Sequence, residues 1–298
     1  PGLLKLELLS TPILFFGFVM LTEPLTSPTT ENKYLPYAVL VGLLYSITAL
    51  KLSPEEALLI GNLFTFLSGA NRRYQLKFIR KIKEAEGIYS YIFSLPPKFS
   101  FAAGQYMEWT IAHNKTDSRG NRRYFTLSSS PTEPGVMITV KHSPKASSFK
   151  QRLDELKTGD TILAAHLAGN FTLPKDASKK ITLLAGGVGI TPFRSMVKSL
   201  LDKQERRDVA LMYSLSSPQE AAFINLFKRA EAIGLKTAYV TNGYIDKPKI
   251  SSFLPDYKER TYYVSGPYGF VQAMEQTLLK MGISSSRITT DYFPGYGG

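Results

Sequence analysis

No cysteine occurs anywhere in the 298 residues. That absence rules out disulfides, thiolate nucleophiles, zinc–thiolate sites and cysteine-ligated iron–sulfur clusters. Histidine is nearly as scarce: His113, His142 and His166 are the whole set, and residues 1–70 hold none. Acidic charge is thin, with 24 Asp and Glu against 36 Lys and Arg, for a net charge of +12. The imbalance is local. Residues 1–70 carry three lysines against five glutamates, a balance of −2, which leaves +14 for the remainder. A basic face suits nucleic acid, anionic lipid or an acidic partner. No basic low-complexity run or nucleic-acid motif supports the first, so no nucleic-acid partner is expected. A single basic cluster, 72–83, follows the apolar N-terminal region, where anionic headgroups would lie.

Three apolar runs fill that N-terminal region: 8–21, with Phe15, Phe16 and Phe18 at its centre, then 35–50, then the shorter 57–67. A spanning helix needs ~20 apolar residues, and the second run comes close with its flanks. Their number argues against an isolated signal peptide. The expectation is a membrane region over 1–70 with two or three transmembrane helices and lipid contact. It places the chain in the cell membrane as a multi-pass protein. The basic cluster puts the remaining domains on the cytoplasmic side. Buried helices with a soluble core of their own are the alternative. The chain opens on Pro1 rather than Met, so the region is expected to be truncated.

Beyond it, six short strands at 75–83, 88–95, 105–111, 122–126, 136–141 and 161–165 alternate with turn signals, and one helix near 148–156 interrupts them. That spacing predicts a small antiparallel β-barrel. From Lys180 onward strands alternate with helices: 181–185, 192–203, 209–214, 221–233, 236–240, 261–265, 268–281 and 287–291. This is the pattern of an α/β domain with a doubly wound parallel sheet. The expected domains are 1–70, 74–174 and 180–298.

The most informative stretch is 183–192, Leu-Leu-Ala-Gly-Gly-Val-Gly-Ile-Thr-Pro. An apolar strand runs into a glycine turn, and a helix opens with Thr191 as N-cap and Pro192 in its first turn. Glycines allow a sharp turn and close ligand approach. The helix N-terminus attracts phosphate. The spacing is not the usual G-x-G-x-x-G, and taken alone the turn is equally compatible with a connection that binds nothing.

Upstream lies Arg122-Arg123-Tyr124-Phe125-Thr126-Leu127-Ser128-Ser129-Ser130-Pro131. Its Arg-x-aromatic-Thr pattern resembles the flavin motif of the ferredoxin–NADP reductase family, and Gly-Gly-x-Gly-x-Thr-Pro resembles that family's nicotinamide motif. They stand in the family's order, about sixty residues apart. Ser265-Gly266-Pro267 after an apolar strand, and the aromatic tail Asp291-Tyr292-Phe293-Pro294-Gly295-Tyr296, resemble the family's C-terminal features. The resemblance covers roughly 74–298. Residues 11–16 and 20–28 further resemble a helix end and loop in the B/D-type membrane subunits of sodium-pumping NADH:quinone reductase and Rnf complexes. The flavinylated threonine motif of those subunits is absent.

The resemblance implies an FAD-dependent NAD(P)H oxidoreductase. Arg123 would fork the FAD pyrophosphate, Tyr124 and Phe125 would lie along the flavin, and Thr126 would hydrogen-bond near its reactive nitrogen. Most members have Tyr where this chain has Phe125. Ser147 and Ser148 open the barrel helix and would meet the pyrophosphate, although the family's glycine is missing there. Lys141 and His142 follow the strand that lines the flavin, and His142 is also compatible with an ordinary surface position. Gly186, Gly187, Gly189, Thr191 and Pro192 would take the nucleotide, and Gly266 and Pro267 would bound the nicotinamide pocket. Tyr292 or Phe293 would cover the flavin until nicotinamide displaces it, which makes Thr126 and Phe293 the expected catalytic residues. No metal site is expected.

NADP binders often carry an Arg after the second strand of such a sheet. Ser214-Leu215-Ser216-Ser217 carries none, which favours NADH over NADPH. Relatives fused to haem-bearing membrane domains need histidines there, and 1–70 has none. A quinone, a second flavin or a separate protein remains as the electron acceptor. A non-catalytic, nucleotide-responsive anchor or assembly subunit is the rival reading, against which the intact motifs stand.

Overall fold

The computed structural model describes residues 16–20, 28, 31–47, 51–67, 73–114, 116–142, 146–241 and 243–293. The chain divides into two compact units, Pro1–Arg73 with Ala165–Gly169, and Tyr74–Ala164 with Asn170–Gly298.

In the first unit, helices α1 (Glu31–Ser46) and α2 (Pro54–Leu67) form a hairpin. Tyr37 and Val41 bury against Ala57 and Leu58. Gly61 sets how closely they approach, because a Cβ there would sit 2.3 Å from Val41 Cγ2. Ser53 and Glu56 start α2 as a reciprocal cap. The Ser53 N–H donates to Glu56 Oε2 at 2.8 Å, and the Glu56 N–H donates to Ser53 Oγ at 3.2 Å.

This hairpin corrects the membrane expectation. Among the described residues no helix is long and apolar enough to cross a membrane. At about 1.5 Å per residue, the 16 residues of α1 reach only about 24 Å and the 14 of α2 about 21 Å, short of a core roughly 30 Å thick. Glu31 and Lys33 occupy the first turn of α1, and the helix ends at Ser46 rather than running on through the apolar stretch. The multi-pass location in the cell membrane is therefore withdrawn, and lipid contact loses its basis. Most of the 8–21 run lies outside the described residues, as do most of the positions resembling membrane subunits.

The second unit holds two sheets. Six strands, β1 (Tyr74–Ala85), β2 (Ile88–Ser94), β3 (Tyr106–Thr110), β4 (Arg122–Thr126), β5 (Gly135–Lys141) and β6 (Thr161–Ala168), form a sheet of order β4-β3-β6-β1-β2-β5. The pairs β1/β2, β1/β6, β2/β5 and β3/β4 are antiparallel. The edge strands meet just past β4, where the Ser128 N–H donates to Met137 O at 2.8 Å. Phe93 and Trp109 pack inside, ring centres 5.2 Å apart. Helix α3 (Ser148–Asp154) follows β5 and buries Phe149 and Leu153.

The second sheet is parallel, in the order β11-β10-β7-β8-β9. Its strands are β7 (Ile181–Gly186), β8 (Val209–Ser214), β9 (Leu235–Val240), β10 (Thr261–Pro267) and β11 (Ile288–Phe293). All six residues of β7 are buried, as expected of a strand covered on both faces. Helices α4 (Thr191–Asp202), α5 (Ile224–Ala230), α6 (Lys247–Phe253) and α7 (Tyr268–Lys280) connect the strands. The chain winds from β7 to β9 on one side and to β11 on the other. The switch point thus lies between β7 and β10, the usual ligand position in such sheets.

Two helices differ from expectation. The one expected over 221–233 starts late, because Phe223 adopts φ +63°, and after α5 it tightens into a 3₁₀ turn over Glu231–Ile233 that ends at Gly234 with φ +101°. Helix α6 was not expected. Asp246 caps it by accepting from the Lys249 N–H at 3.0 Å, and Pro248 sits in its first turn.

Candidate flavin and nucleotide sites

The glycine turn sits at the switch point, and its glycines do different work. A Cβ at Gly186 would lie 2.7 Å from the Phe270 ring, and one at Gly189 would lie 2.2 Å from Ser265 O. These two are glycines because protein packs against them. Gly187 has φ +52° and meets no atom within 4 Å, so its surface is open for a ligand. Thr191 is not the N-cap expected of it. A 3₁₀ turn over Gly187–Ile190 precedes α4, which places the first free N–H groups at the glycines themselves. Thr191 and Pro192 are buried inside the helical segment. On the facing strand a Cβ at Gly266 would lie 3.1 Å from Gly186 O, while Pro267 ends β10 exposed.

Arg123 lies on β4 with its side chain only 8% exposed. Nη2 donates to both carboxylate oxygens of Asp117, at 2.8 and 3.0 Å, and Nη1 donates to the carbonyls of Arg119, Gly120 and Arg122. Nε is buried and has no hydrogen-bond partner. Desolvation pushes the Asp117 carboxyl upward, but the Arg119 N–H and the Arg123 guanidinium together hold it down at about 2. Asp117 was not singled out by sequence. Its only signal is its place in the turn before the motif. Phe125 stands 5.6 Å from Phe149 between ring centres, and Thr126 is buried in register with Tyr106. Tyr124 is exposed and donates to Glu108 at 3.0 Å.

The remaining barrel candidates already have protein partners. Ser147 caps α3 by accepting from the Lys150 N–H. Ser148 Oγ accepts from the Asp117 N–H at 3.0 Å and lies 3.0 Å from His113 Nε2. His142 contacts Tyr91 Oη at 3.0 Å and Asp154 Oδ2 at 3.1 Å, and desolvation lowers its pKa. Lys141 pairs with Glu220 at 2.7 Å, and the Glu86 N–H donates to Gln219 O at 3.0 Å, so the turn after β8 is tied to the antiparallel sheet.

Ser265 and Asp291 stand in register on β10 and β11, hydroxyl to carboxylate 3.4 Å. Sequence reasoning assigned neither a role. Burial raises the pKa of Tyr106, on β3, and the nearby Asp291 charge adds to it. The parallel sheet therefore brings Asp291 close to the strand pair that carries Thr126. Tyr292 is 56% exposed and stacks edge-on against Tyr268 at 5.5 Å. The Phe293 backbone pairs with Pro267.

Residues 183–276 match the oxidoreductase NAD-binding domain. Flavohemoprotein A of Dictyostelium discoideum is 28% identical over 72% of this chain and 58% of its own length. The glycine betaine monooxygenase reductase subunit of Chromohalobacter salexigens is 25% identical over 78% of this chain and 67% of its own length. A ferredoxin–NADP+ reductase from Neisseria gonorrhoeae, solved with bound FAD and NADP, shares the fold with a TM-score of 0.64 at 19% identity, over 74% of this chain and 98% of its own. By these matches the chain is similar to the ferredoxin–NADP reductase-like flavoproteins. The family is one of FAD-dependent NAD(P)H oxidoreductases. These matches give no support to a fusion with a membrane subunit. The chain spans less than two thirds of the length of the Dictyostelium relative.

Proposed function

We propose that the chain binds FAD on the antiparallel sheet and takes a hydride from NAD(P)H at the switch point of the parallel sheet, passing electrons to a separate redox centre. We take 74–174 as the flavin domain and 180–298 as the nucleotide domain. The observation that carries this is Gly187, open and left-handed at the β7–β10 switch point, with Thr126 on the strand pair near Asp291.

When bound, FAD supplies the two-electron acceptor for the nicotinamide hydride. The residues present fit it at one telling atom, since Arg123 Nε is buried and unpartnered and so suits an anion. Asp117 positions that guanidinium through Nη2. Thr126 orients the flavin through its hydroxyl, and Phe125 supplies an apolar ring beside it. Gly187 and the N–H groups after it hold the nucleotide pyrophosphate. Gly266 and Pro267 bound the nicotinamide pocket. Tyr292 closes the flavin face. Ser214 at the end of β8 and Ser216 and Ser217 in the turn after it have the carboxylate of Glu220 nearby in sequence and no cation in that turn, which favours NADH. The names of the relatives make an oxygenase or haem protein the acceptor class to test.

Anaerobic mixing of the FAD-loaded chain with NADH or NADPH tests the reading. Bleaching of the oxidised flavin band is expected, faster with NADH. A protein that takes up FAD and is reduced by dithionite but by neither nucleotide would overturn it.

A further inference from the structure

Arg194 is the fourth residue of α4, just past the glycine turn, and its guanidinium reaches back to the flavin motif. Nη2 donates to Glu133 Oε1 at 2.8 Å, Nη1 pairs with Glu133 Oε2, and Nη1 also donates to Ser128 O at 3.0 Å. The next residue repeats the direction, with Ser195 Oγ donating to Ser129 O at 2.5 Å. Glu133 in turn accepts from the Ser130 N–H at 2.6 Å. Consecutive residues of the nucleotide helix thus grip consecutive residues of the segment leaving β4, two positions beyond Thr126. From the other side, Ser128 N–H and Ser129 N–H both reach Met137 O on β5. The segment has little freedom to shift.

The arrangement is costly. Arg194 is 12% exposed and Glu133 21%. Arg194 Nε is buried with no partner. An ion pair taken out of water rarely adds net stability over an apolar pair. What a bidentate fork does provide is a fixed distance and angle. Here it fixes the helix that opens at the nucleotide turn relative to the strand that ends at Thr126.

We propose that Arg194 and Glu133 are positioning residues that set the spacing between nicotinamide and flavin, governing the rate of hydride transfer rather than the affinity for either ligand. This rests on the functional reading above. Reacting atoms need a separation of ~3–3.5 Å, and a misplacement of about 1 Å costs on the order of 100-fold.

The test uses the FAD-loaded full chain and the variants Arg194→Lys, which keeps the charge and loses the fork, and Glu133→Gln, which keeps an acceptor and loses the charge. Stopped-flow reduction over a range of NADH concentrations separates the limiting rate from the apparent Kd, and NADH deuterated at C4 reports the hydride step. Expected are parental flavin content, a Kd within about twofold, a limiting rate down roughly 10- to 100-fold for Arg194→Lys, and an enlarged isotope effect. The double variant should be no slower than Arg194→Lys alone, since both break one clamp. Parental limiting rates in both variants would overturn the proposal. So would losses confined to Kd or to flavin content, which mark a binding or folding role. If the parent itself is reduced by neither nucleotide, the functional reading fails first and the clamp role falls with it.

Discussion

Ser265 and Asp291 face each other in register across two parallel strands, hydroxyl to carboxylate at 3.4 Å. Desolvation pushes the Asp291 carboxyl up to about 6, and the Ser265 hydroxyl only partly offsets it. The folded chain therefore favours the protonated acid. The contribution is present in full below the ordinary carboxylate pKa of ~4 and is lost as pH rises through about 6. Urea midpoints of the parent should fall between pH 4.5 and pH 7.5 by more than those of Asp291→Asn, which cannot ionise. Equal falls in the two proteins would show that Asp291 is not the group responsible.

The glycine turn yields two variants that should part company. Gly189→Ala places a Cβ 2.2 Å from the Ser265 carbonyl, so it should lower thermal stability and solubility before any kinetics are read. Gly187→Ala meets no neighbour, but its φ of +52° costs a non-glycine residue about 1–2 kcal/mol. It should fold, keep its flavin spectrum, respond normally to dithionite and be reduced slowly at subsaturating NADH. Reduction as fast as the parent's would remove Gly187 from the nucleotide site.

Arg123→Ala should weaken FAD binding by roughly tenfold or more, the about 1.5–3 kcal/mol expected for a charge-assisted contact. It also leaves Asp117 without its guanidinium. The carboxyl held at about 2 should then titrate nearer the usual range. Asp117 contributes stability above that range, lost as pH falls through about 2, so the variant should lose its advantage at a higher pH than the parent. Fluorescence quenching of added FAD checks the first statement and acid unfolding curves the second.

In the helical hairpin, Gly61→Ala should cost about 1–3 kcal/mol, because Val41 and Tyr37 leave no room for a methyl group. Proteolysis between α1 and α2 should quicken relative to the parent. An unchanged cleavage rate would mean the two helices do not pack at that spacing.

Much of the two-sheet architecture was legible in sequence, for physical reasons. Strands such as β7 are continuous apolar runs because both faces are covered, and the glycine turn with Pro192 marks a strand-to-helix change without ambiguity. Helix α6 escaped notice because seven residues give too little periodicity, although Asp246 and Pro248 announce it. The N-terminal runs misled because a window of composition registers Leu and Val but not where a helix stops, and α1 stops at Ser46. Pairings were the least legible. Asp117 meets Arg123 around a turn, and Glu133 meets Arg194 from 61 positions away. No periodicity connects such residues. Glu133 and Arg194 become partners only once the two sheets are folded against each other.

Strand β5 is fastened to the parallel sheet at both ends. Glu133, just before it, is held by Arg194, and Lys141, its last residue, is held by Glu220. Its seven residues span ~20 Å at about 3.4 Å each, so the fastenings are far apart. A door with hinges on one side swings, whereas a panel bolted at two distant corners does not. Moving one sheet away from the other along β5 requires one of these ion pairs to release.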